Sequence, residues 1–177
     1  EPETTGIPNK QGFDYWLGFL NQHHAHDYYP NHIWENTRMF FLDKKRYTHD
    51  VFAEASLDFV KKHKDEPFFL YLAYTIPHAN NEKGNQGMEV PSDEPYSDKP
   101  WPQMQKNHAA MITRMDRDIG KLFDLLKELG IDDNTIVFFT SDNGPHREGG
   151  ADPEFFDSNG PLKGIKRDLY EGGIRVP

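Results

Sequence analysis

The chain has 177 residues, enough for one ordinary domain, and its 36% hydrophobic and 28% charged side chains are typical of a globular protein. Its 29 acidic against 20 basic side chains give a formal net charge of -9, which argues against a nucleic-acid partner because such binders present a basic face. Cysteine is absent, so these residues contain no disulfide, thiolate zinc site or cysteine nucleophile. No apolar stretch approaches the roughly 20 residues that span a bilayer, so we expect no membrane partner.

Residues 1–46 are rich in Gly, Pro, Asn, His and aromatic side chains and show no sustained hydrophobic period. We interpret them as a loop-rich lead-in with one short helix at residues 15–20. The first residues have neither the positive charge nor the apolar core of a signal peptide. We therefore expect either the start of a mature protein or a segment of a longer chain.

The next segment, 47–64, has apolar residues at three- and four-residue steps, which predicts an amphipathic helix. Its apolar face carries Phe52, Ala55, Phe59 and His63. After Pro67 the run "FFLYLAYT" at 68–75 is continuously apolar, which is typical of a strand buried on both faces. Residues 76–102 contain five prolines and two glycines and predict a long loop.

A second helix is predicted over residues 103–129, with Gly130 placed to end it. Its apolar positions are Met111, Met115, Ile119, Leu122, Leu126 and Leu129. The oily run "TIVFF" at 135–139 then predicts a second strand, and residues 145–177 are Gly-rich and charged. Helices that alternate with strands indicate an α/β fold with a mainly parallel sheet, flanked by helices. Because two strands are too few for a sheet, we expect further strands to come from elsewhere.

The second predicted strand ends in Asp142, Asn143 and Gly144. One interpretation is a turn, since these residue types favour turns. The other is chemical, because ligands bind at the carboxyl ends of parallel strands and carboxylate and amide oxygens suit Ca²⁺ or Mg²⁺. His78 follows the first strand in "YTIPH" and would project from the same edge. It is either a general acid or base or a solvated loop histidine.

Two further clusters allow both a functional and an ordinary interpretation. Four cations lie among glycines near the end of the chain, where they either cradle an oxyanion or form an exposed basic loop. They are Lys163, Lys166, Arg167 and Arg175. The tract "NQHHAHDYYPNH" (21–32) contains four histidines, but their spacing fits no helical zinc pair. Packing among aromatic neighbours, or lining a pocket, is the alternative.

Taken together, these motifs resemble a known family. The segments "FFLYLAYTIPHA", "ITRMDRDIGKLFDLLKELGIDDNTIVFFTSDNG" and "SNGPLKGIKRDLYEGGIRVP" resemble, in that order, the central part of the type I sulfatases. These are the arylsulfatase-like members of the alkaline phosphatase superfamily. The opening "GIPNKQGFDYWLGFLNQHHAHDYYPNHIW" resembles the stretch that follows their early active-site motifs. The resemblance implies a three-layer alkaline phosphatase-like sandwich.

The resemblance also implies roles for individual residues. Asp142 and Asn143 match the pair that binds a divalent cation, usually calcium, against the sulfate. His78 matches a histidine that contacts the sulfate ester and is a candidate to protonate the leaving oxygen. Lys166 matches the lysine that binds sulfate oxygens. His146, just past the metal pair, is expected to face the substrate.

The family nucleophile is a formylglycine made from Cys or Ser in a motif of the type Cys/Ser-x-Pro/Ala-x-Arg, and this sequence has no such motif. In the family that motif lies upstream of the position of Glu1. We therefore expect residues 1–177 to be the central part of a sulfatase catalytic domain, truncated at both ends and inactive alone. Its expected parts are the lead-in 1–46, the helix–strand–loop–helix–strand unit 47–144 and the active-site segment 145–177.

For the parent protein the resemblance implies hydrolysis of aryl or carbohydrate sulfate monoesters with Ca²⁺ and formylglycine. Two alternatives remain open. One is a phosphomonoester or phosphonate hydrolase on the same fold, and the other is a non-catalytic anion-binding pseudoenzyme. A periplasmic, secreted or lysosomal location is expected from the resemblance alone.

Overall fold

The computed structural model describes residues 4–176, so the first three residues and the last one of the predicted 1–177 unit lie outside the described residues. Its regular structure consists of α-helices and a three-stranded sheet. The helices are α1 (Gln22–Ala25), α2 (Thr48–His63), α3 (Gln103–Glu128) and α4 (Glu171–Ile174). The strands are β1 (Leu17–Gly18), β2 (His32–Glu35) and β3 (Arg38–Phe41). Short 3-10 turns lie at Pro8–Lys10, Asn81–Gln86, Asp132–Asn134 and Glu148–Gly150.

The two long helices, α2 and α3, confirm the helices predicted over 47–64 and 103–129. Gly130 follows α3 with a φ of +66°, the left-handed conformation that favours glycine, as expected for a residue that ends a helix. The Ile131 amide donates to the Leu126 carbonyl at 3.0 Å and closes this end. Between residues 4 and 176 no helix is both long and apolar enough to cross a membrane.

The helices α2 and α3 pack against each other through one apolar and one polar contact. Val60 of α2 forms a buried cluster with Leu125 and Leu126 of α3. Arg114 of α3 donates two hydrogen bonds of 2.6 Å to Asp50 of α2, a fork geometry that fixes direction as well as distance. These contacts fix the two helices against each other.

A larger core lies beneath the residues that follow the first predicted strand. It contains the buried side chains Tyr28, Tyr47, Ile76, Ala79, Met88, Met111 and Ala151. Fully burying a side chain such as Met111 stabilises the fold by about 1.5–3 kcal/mol. Because Ile76 and Ala79 flank His78, this core anchors the loop that presents that histidine.

The side chain of Asp118 is buried within α3 and is surrounded by basic groups. Arg117 donates to it at 2.9 and 2.7 Å, and Lys121 donates at 2.9 Å. His49 of α2 lies 3.3 Å away. Burial alone would raise the pKa of Asp118, but the hydrogen bonds and charges of Arg117 and Lys121 lower it to about 2. This carboxylate is therefore part of the helix interface.

The N-terminal region contains more structure than predicted. The short helix expected at residues 15–20 is wrong, because β1 lies there and pairs antiparallel with β2, which pairs antiparallel with β3. The turn between β2 and β3 is Asn36–Thr37, and Asn36 has a φ of +53°. Asparagine tolerates this left-handed conformation, so a two-residue hairpin forms. Ile33 of β2 is fully buried and holds the hairpin on the core.

The two strands predicted at 68–75 and 135–139 are not hydrogen-bonded strands in this structure, and the predicted parallel sheet is not formed within residues 4–176. Residues 136–139 of the second run are all exposed, whereas the first run is exposed on one face only, since Phe68 and Leu70 pack on the cluster of Val60, Leu125 and Leu126. Phe69 is 76% exposed and Phe138 is 90% exposed. A strand is stabilised by hydrogen bonds to neighbours, and neither run has a neighbouring strand among the described residues. The sequence pattern predicts burial that these residues alone do not supply.

The buried Asp118 predicts a specific dependence of stability on pH. Its folded-state pKa of about 2 lies below its unfolded value, so its ionised form contributes stability above about pH 4 that is lost as pH falls from about 4 to 2. The difference in unfolding free energy between the native protein and Asp118→Asn should therefore shrink across this window. Urea unfolding of the full-length protein at several pH values measures it.

Asp124→Asn is the matched control, because Asp124 is exposed on the same helix. Its effect on the unfolding free energy should stay near zero at every pH. A constant difference for Asp118→Asn would contradict a role for its ionised carboxylate in the helix interface.

Candidate active site

His78 and Lys166, which the sequence places 88 positions apart, meet in the structure. The Lys166 ammonium nitrogen lies 3.1 Å from His78 Nε2. Both side chains are partly buried, so water screens the contact incompletely. The structure therefore brings together the two residues for which the sequence resemblance implied catalytic roles.

The His78 ring is held at its other nitrogen. Nδ1 lies 2.7 Å from the Ala79 carbonyl, which can only accept, so Nδ1 carries the hydrogen. This assignment follows from the hydrogen-bond pattern. Nε2 is then the nitrogen that gains or loses a proton, and in the neutral ring it accepts a hydrogen bond from Lys166. The Tyr28 hydroxyl donates to the His78 carbonyl and fixes the backbone.

Backbone hydrogen bonds fasten the loop after the second apolar run to the Gly-rich segment that carries Lys166. The Gly144 amide donates to the Gly173 carbonyl at 3.0 Å, and the Lys166 amide donates to the Pro145 carbonyl at 2.8 Å. The approach is so close that a Cβ on Gly144 would lie 1.9 Å from the carbonyl oxygen of Gly172. Glycine is therefore needed at position 144 for space.

Glu148 was not predicted from the sequence, yet its carboxylate contacts the same groups. Its Oε2 lies 2.9 Å from the Lys166 ammonium and 3.6 Å from His78 Nε2. Burial opposes its ionisation, but the hydrogen bond and charge of Lys166, with the charges of His146 and Arg167, lower the pKa of Glu148. The one signal in the sequence was its place between the predicted His146 and two glycines, in "PHREGG".

His146, predicted to face the substrate, packs behind His78. The two rings are stacked with centroids 5.6 Å apart, and His146 is 8% exposed. Its Nδ1 accepts from the Glu148 amide at 3.1 Å, and its Nε2 lies 3.4 Å from the Pro77 carbonyl. Burial lowers the pKa of His146, which favours the neutral ring. Substrate contact by His146 stays a prediction, and the contacts seen are those of a support.

A row of imidazole rings runs through the site. His26 stacks on the free face of His78 with centroids 5.5 Å apart, and His108 lies 5.8 Å from His146 on the other side. Glu82 accepts from His26 at 3.1 Å and so holds this end of the row. One member of the histidine-rich tract therefore packs against the site, in agreement with the packing alternative. Within residues 4–176 no group of three or more His, Asp or Glu side chains is arranged to hold a metal ion.

Asp142 and Asn143 lie just before the fastened loop. Asp142 is exposed. The Asn143 amide nitrogen donates to the Gly144 carbonyl at 2.8 Å, so the amide oxygen of Asn143 is the atom that could ligate a cation. The pair offers hard oxygen ligands, which is the chemistry that Ca²⁺ prefers, but Ca²⁺ takes about six to eight of them. These two residues therefore fit a calcium site as a part of its ligand set.

The predicted cluster of four cations separates into different roles. Lys166 alone contacts His78 among them. Arg167 pairs with Glu148 Oε1 at 2.6 Å, and Lys163 lies over the Tyr170 ring at 3.9 Å from its centroid. Arg175 pairs with Glu171. An anion bound here would meet Lys166, and the exposed-loop interpretation describes Lys163 and Arg175 better.

Comparisons with known proteins identify the family that this chain resembles. The sulfatase family model matches residues 2–177. An uncharacterized sulfatase of Escherichia coli strain K12, YdeN, is 32% identical over 96% of this chain and 28% of its own length. Human N-acetylgalactosamine-6-sulfatase is 31% identical over 96% of this chain and 33% of its own length.

Solved structures agree. The crystal structure of Ps i-CgsB in complex with k-i-k-neocarrahexaose superposes with a TM-score of 0.77 and 31% identity, over 98% of this chain and 40% of that chain. The chain belongs to the sulfatase family. Its fold class is α/β of the alkaline phosphatase-like kind, as predicted. It spans about a third of the length of the curated relatives named above.

The close backbone approach at Gly144 predicts a large effect of a single methyl group. Gly144→Ala should lower the free energy of unfolding of the full-length protein by about 1–3 kcal/mol, because the loop must move away from Gly172. Gly120→Ala is the control, because a Cβ there meets no atom within 4 Å and the helix α3 favours alanine. Urea unfolding measures both. Equal effects of the two changes would contradict the importance of the contact.

Proposed function

We propose that the protein to which this chain belongs hydrolyses sulfate monoesters. Membership of the sulfatase family supports the reaction class. The observation that carries the proposal at the level of residues is the contact of Lys166 with His78 at 3.1 Å, beside the loop that holds Asp142 and Asn143. A cation for the sulfate oxygens and a proton donor for the leaving oxygen are what the cleavage of this ester requires.

In this proposal Lys166 and His78 act on different parts of the ester. A sulfate monoester carries negative charge on its peripheral oxygens, and the Lys166 ammonium compensates it. When a nucleophile attacks sulfur, the bond from sulfur to the ester oxygen breaks and that oxygen takes the electron pair. His78 in its protonated form donates the Nε2 proton to it, so the product leaves as a neutral alcohol. Charge placed in advance in this way is commonly the largest catalytic contribution.

The groups that this chain would share with the rest of the protein are a metal ion and the nucleophile. Asp142 and Asn143 would hold a divalent cation, in our proposal Ca²⁺, together with ligands from other parts of the protein. Such an ion, when bound, neutralises the negative charge of the ester. The sequence has no Cys or Ser in a formylglycine motif, so we propose that the nucleophile is supplied by other residues of the protein. The 177-residue chain alone should then be inactive.

A groove whose lining includes Asn80, two residues after His78, supports a carbohydrate sulfate as the substrate. Its volume is about 1040 Å³, and its walls include Tyr29, Trp34, Lys44 and Glu82. Glu82 also binds His26, whose ring stacks on His78, so the groove begins close to the proposed proton donor. Aromatic faces with polar neighbours suit sugar rings. The Ps i-CgsB structure in complex with k-i-k-neocarrahexaose supports this choice.

We propose, from the family resemblance alone, that the protein works in the periplasm, in a lysosome or outside the cell. A fusion of the full-length protein to a fluorescent or enzymatic reporter, followed in its native cell, would test the location.

The first test is hydrolysis of an aryl sulfate by the full-length protein, with and without Lys166→Ala. The substitution should lower kcat/KM by about two orders of magnitude or more, because a charged contact to the transition state is lost. Lys127→Ala is the control, since Lys127 is an exposed lysine in the last turn of α3. Both variants are checked by thermal unfolding. Activity of Lys166→Ala equal to that of the control would remove Lys166 from the site.

The same assay separates the alternatives. Faster turnover of an aryl phosphate than of the matching aryl sulfate would favour the phosphomonoester hydrolase. Sulfate binding by the full-length protein without turnover of either ester would favour the non-catalytic anion-binding protein.

The groove predicts a substrate-dependent effect of Trp34. Trp34→Ala should raise KM by about tenfold for a sulfated oligosaccharide, because a stacking surface worth about 1.4 kcal/mol is lost. It should leave KM for a small aryl sulfate unchanged, since such a substrate does not extend into the groove. Trp101→Ala is the control, because Trp101 packs on Tyr96 outside the groove. An equal rise in KM for both substrates would contradict a saccharide-binding role.

A further inference from the structure

Glu148 is an ionised group to which the proposed reaction gives no role, although it contacts four other charged or titratable side chains. Its Oε2 lies 2.9 Å from Lys166, 3.6 Å from His78 Nε2 and 3.6 Å from His146 Nδ1. Its Oε1 lies 2.6 Å from Arg167. Its side chain is 15% exposed, so these interactions are only partly screened by water.

The contact between Lys166 and His78 creates an electrostatic difficulty. A proton on His78 Nε2 would stand about 3 Å from an ammonium group, and two like charges at such a distance disfavour the doubly charged state. The rings of His26 and His146 cover the two faces of His78 and add no negative charge. Glu148 supplies the carboxylate that contacts His78 within the described residues.

We infer that Glu148 is a positioning residue of the proposed sulfatase reaction, because its carboxylate holds the Lys166 ammonium in place and lets His78 carry a proton beside it. This inference rests on the proposed function. With Glu148 ionised, a protonated His78 and a protonated Lys166 leave one net positive charge among the three groups in place of two. The neutral His78 accepts a hydrogen bond from Lys166, which is the state after proton donation.

Glu148 acts through its neighbours and does not touch the ester in this account. A carboxylate in contact with a sulfate oxygen would repel it, and the two oxygens of Glu148 already face Lys166 and Arg167. Its amide also donates to His146 Nδ1, so the same residue supports the ring behind His78. The carboxylate of Glu148 therefore positions Lys166 and Arg167, and its amide positions the His146 ring.

The test is the pH dependence of aryl sulfate hydrolysis by the full-length protein and by Glu148→Gln, which keeps the shape and removes the charge. In the variant, kcat should fall at least tenfold. The alkaline limb of the profile of kcat/KM should move to lower pH by about one unit or more, because the proton on His78 loses its counter-charge. KM should not rise, since a negative charge near an anionic substrate has been removed.

Glu154→Gln is the matched control, because Glu154 lies on the same segment and is exposed in its pair with Arg147. It should leave kcat, KM and the alkaline limb unchanged. Glu148→Asp keeps the charge on a side chain shorter by one methylene group. It should lower kcat while its alkaline limb stays within about half a pH unit of the native position. This second variant tests the inference if Glu148→Gln does not fold.

Three results would overturn the inference. A native alkaline limb in Glu148→Gln, whether kcat is unchanged or falls together with thermal stability, would make Glu148 a structural residue only. A limb displaced equally in Glu148→Asp and Glu148→Gln would exclude a role for the charge. Absence of sulfate ester hydrolysis by the native full-length protein would instead overturn the proposed function, and the inference with it.

Discussion

The 3.1 Å contact between the Lys166 ammonium and the His78 imidazole is the constraint on which the rest of the site depends. When both groups are protonated, their like charges repel, so a negative charge must lie close to both of them. Glu148 meets that need from a third loop. The fold therefore has to bring three segments of chain, near residues 78, 148 and 166, to one point. Most of the contacts described around the site serve this convergence, including the core beneath Ile76 and Ala79 and the stack of imidazole rings.

Backbone contacts provide the accuracy that side chains alone would lack. A Cβ on Gly144 would clash with the Gly172 carbonyl, and a Cβ on Gly172 would clash with the Gly164 carbonyl. The amide of Lys166 is bound directly to the Pro145 carbonyl. The lysine is thus positioned by its own main chain relative to the loop that carries Asp142 and Asn143. A long lysine side chain loses conformational entropy when it is fixed in one position. Because the backbone of Lys166 is already fixed, fewer positions are open to its ammonium group. Glu148 then restrains the charged end.

The helices, and His78 and Lys166 as candidate site residues, could be predicted from the sequence because each leaves a local or motif signal, whereas the contact between these two side chains is seen only in the structure. Apolar residues at helical spacing mark α2 and α3, and the family-like segment around Lys166 marks the lysine. Glu148 could not be predicted, since a glutamate between a histidine and two glycines carries no period and its partners are distant in the chain. The hairpin of β2 and β3 was missed because its turn is Asn-Thr and its strands are short. The predicted strands at 68–75 and 135–139 show the opposite case, in which the pattern is clear but the neighbours that complete a sheet are not among these residues.

Those two apolar runs matter for the site because each is followed closely by a proposed site residue. His78 follows the first run by three residues, and Asp142 follows the second by three. A strand advances about 3.3 Å per residue and turns successive side chains to opposite faces, so a slip of one residue in sheet pairing would shift either group by that distance and reverse its direction. In the parallel sheet expected from the sequence, the register of these two strands would set the position of the proposed acid relative to the proposed metal ligands. Substitutions in the middle of either run, far from any substrate, would act on the reaction by changing that alignment.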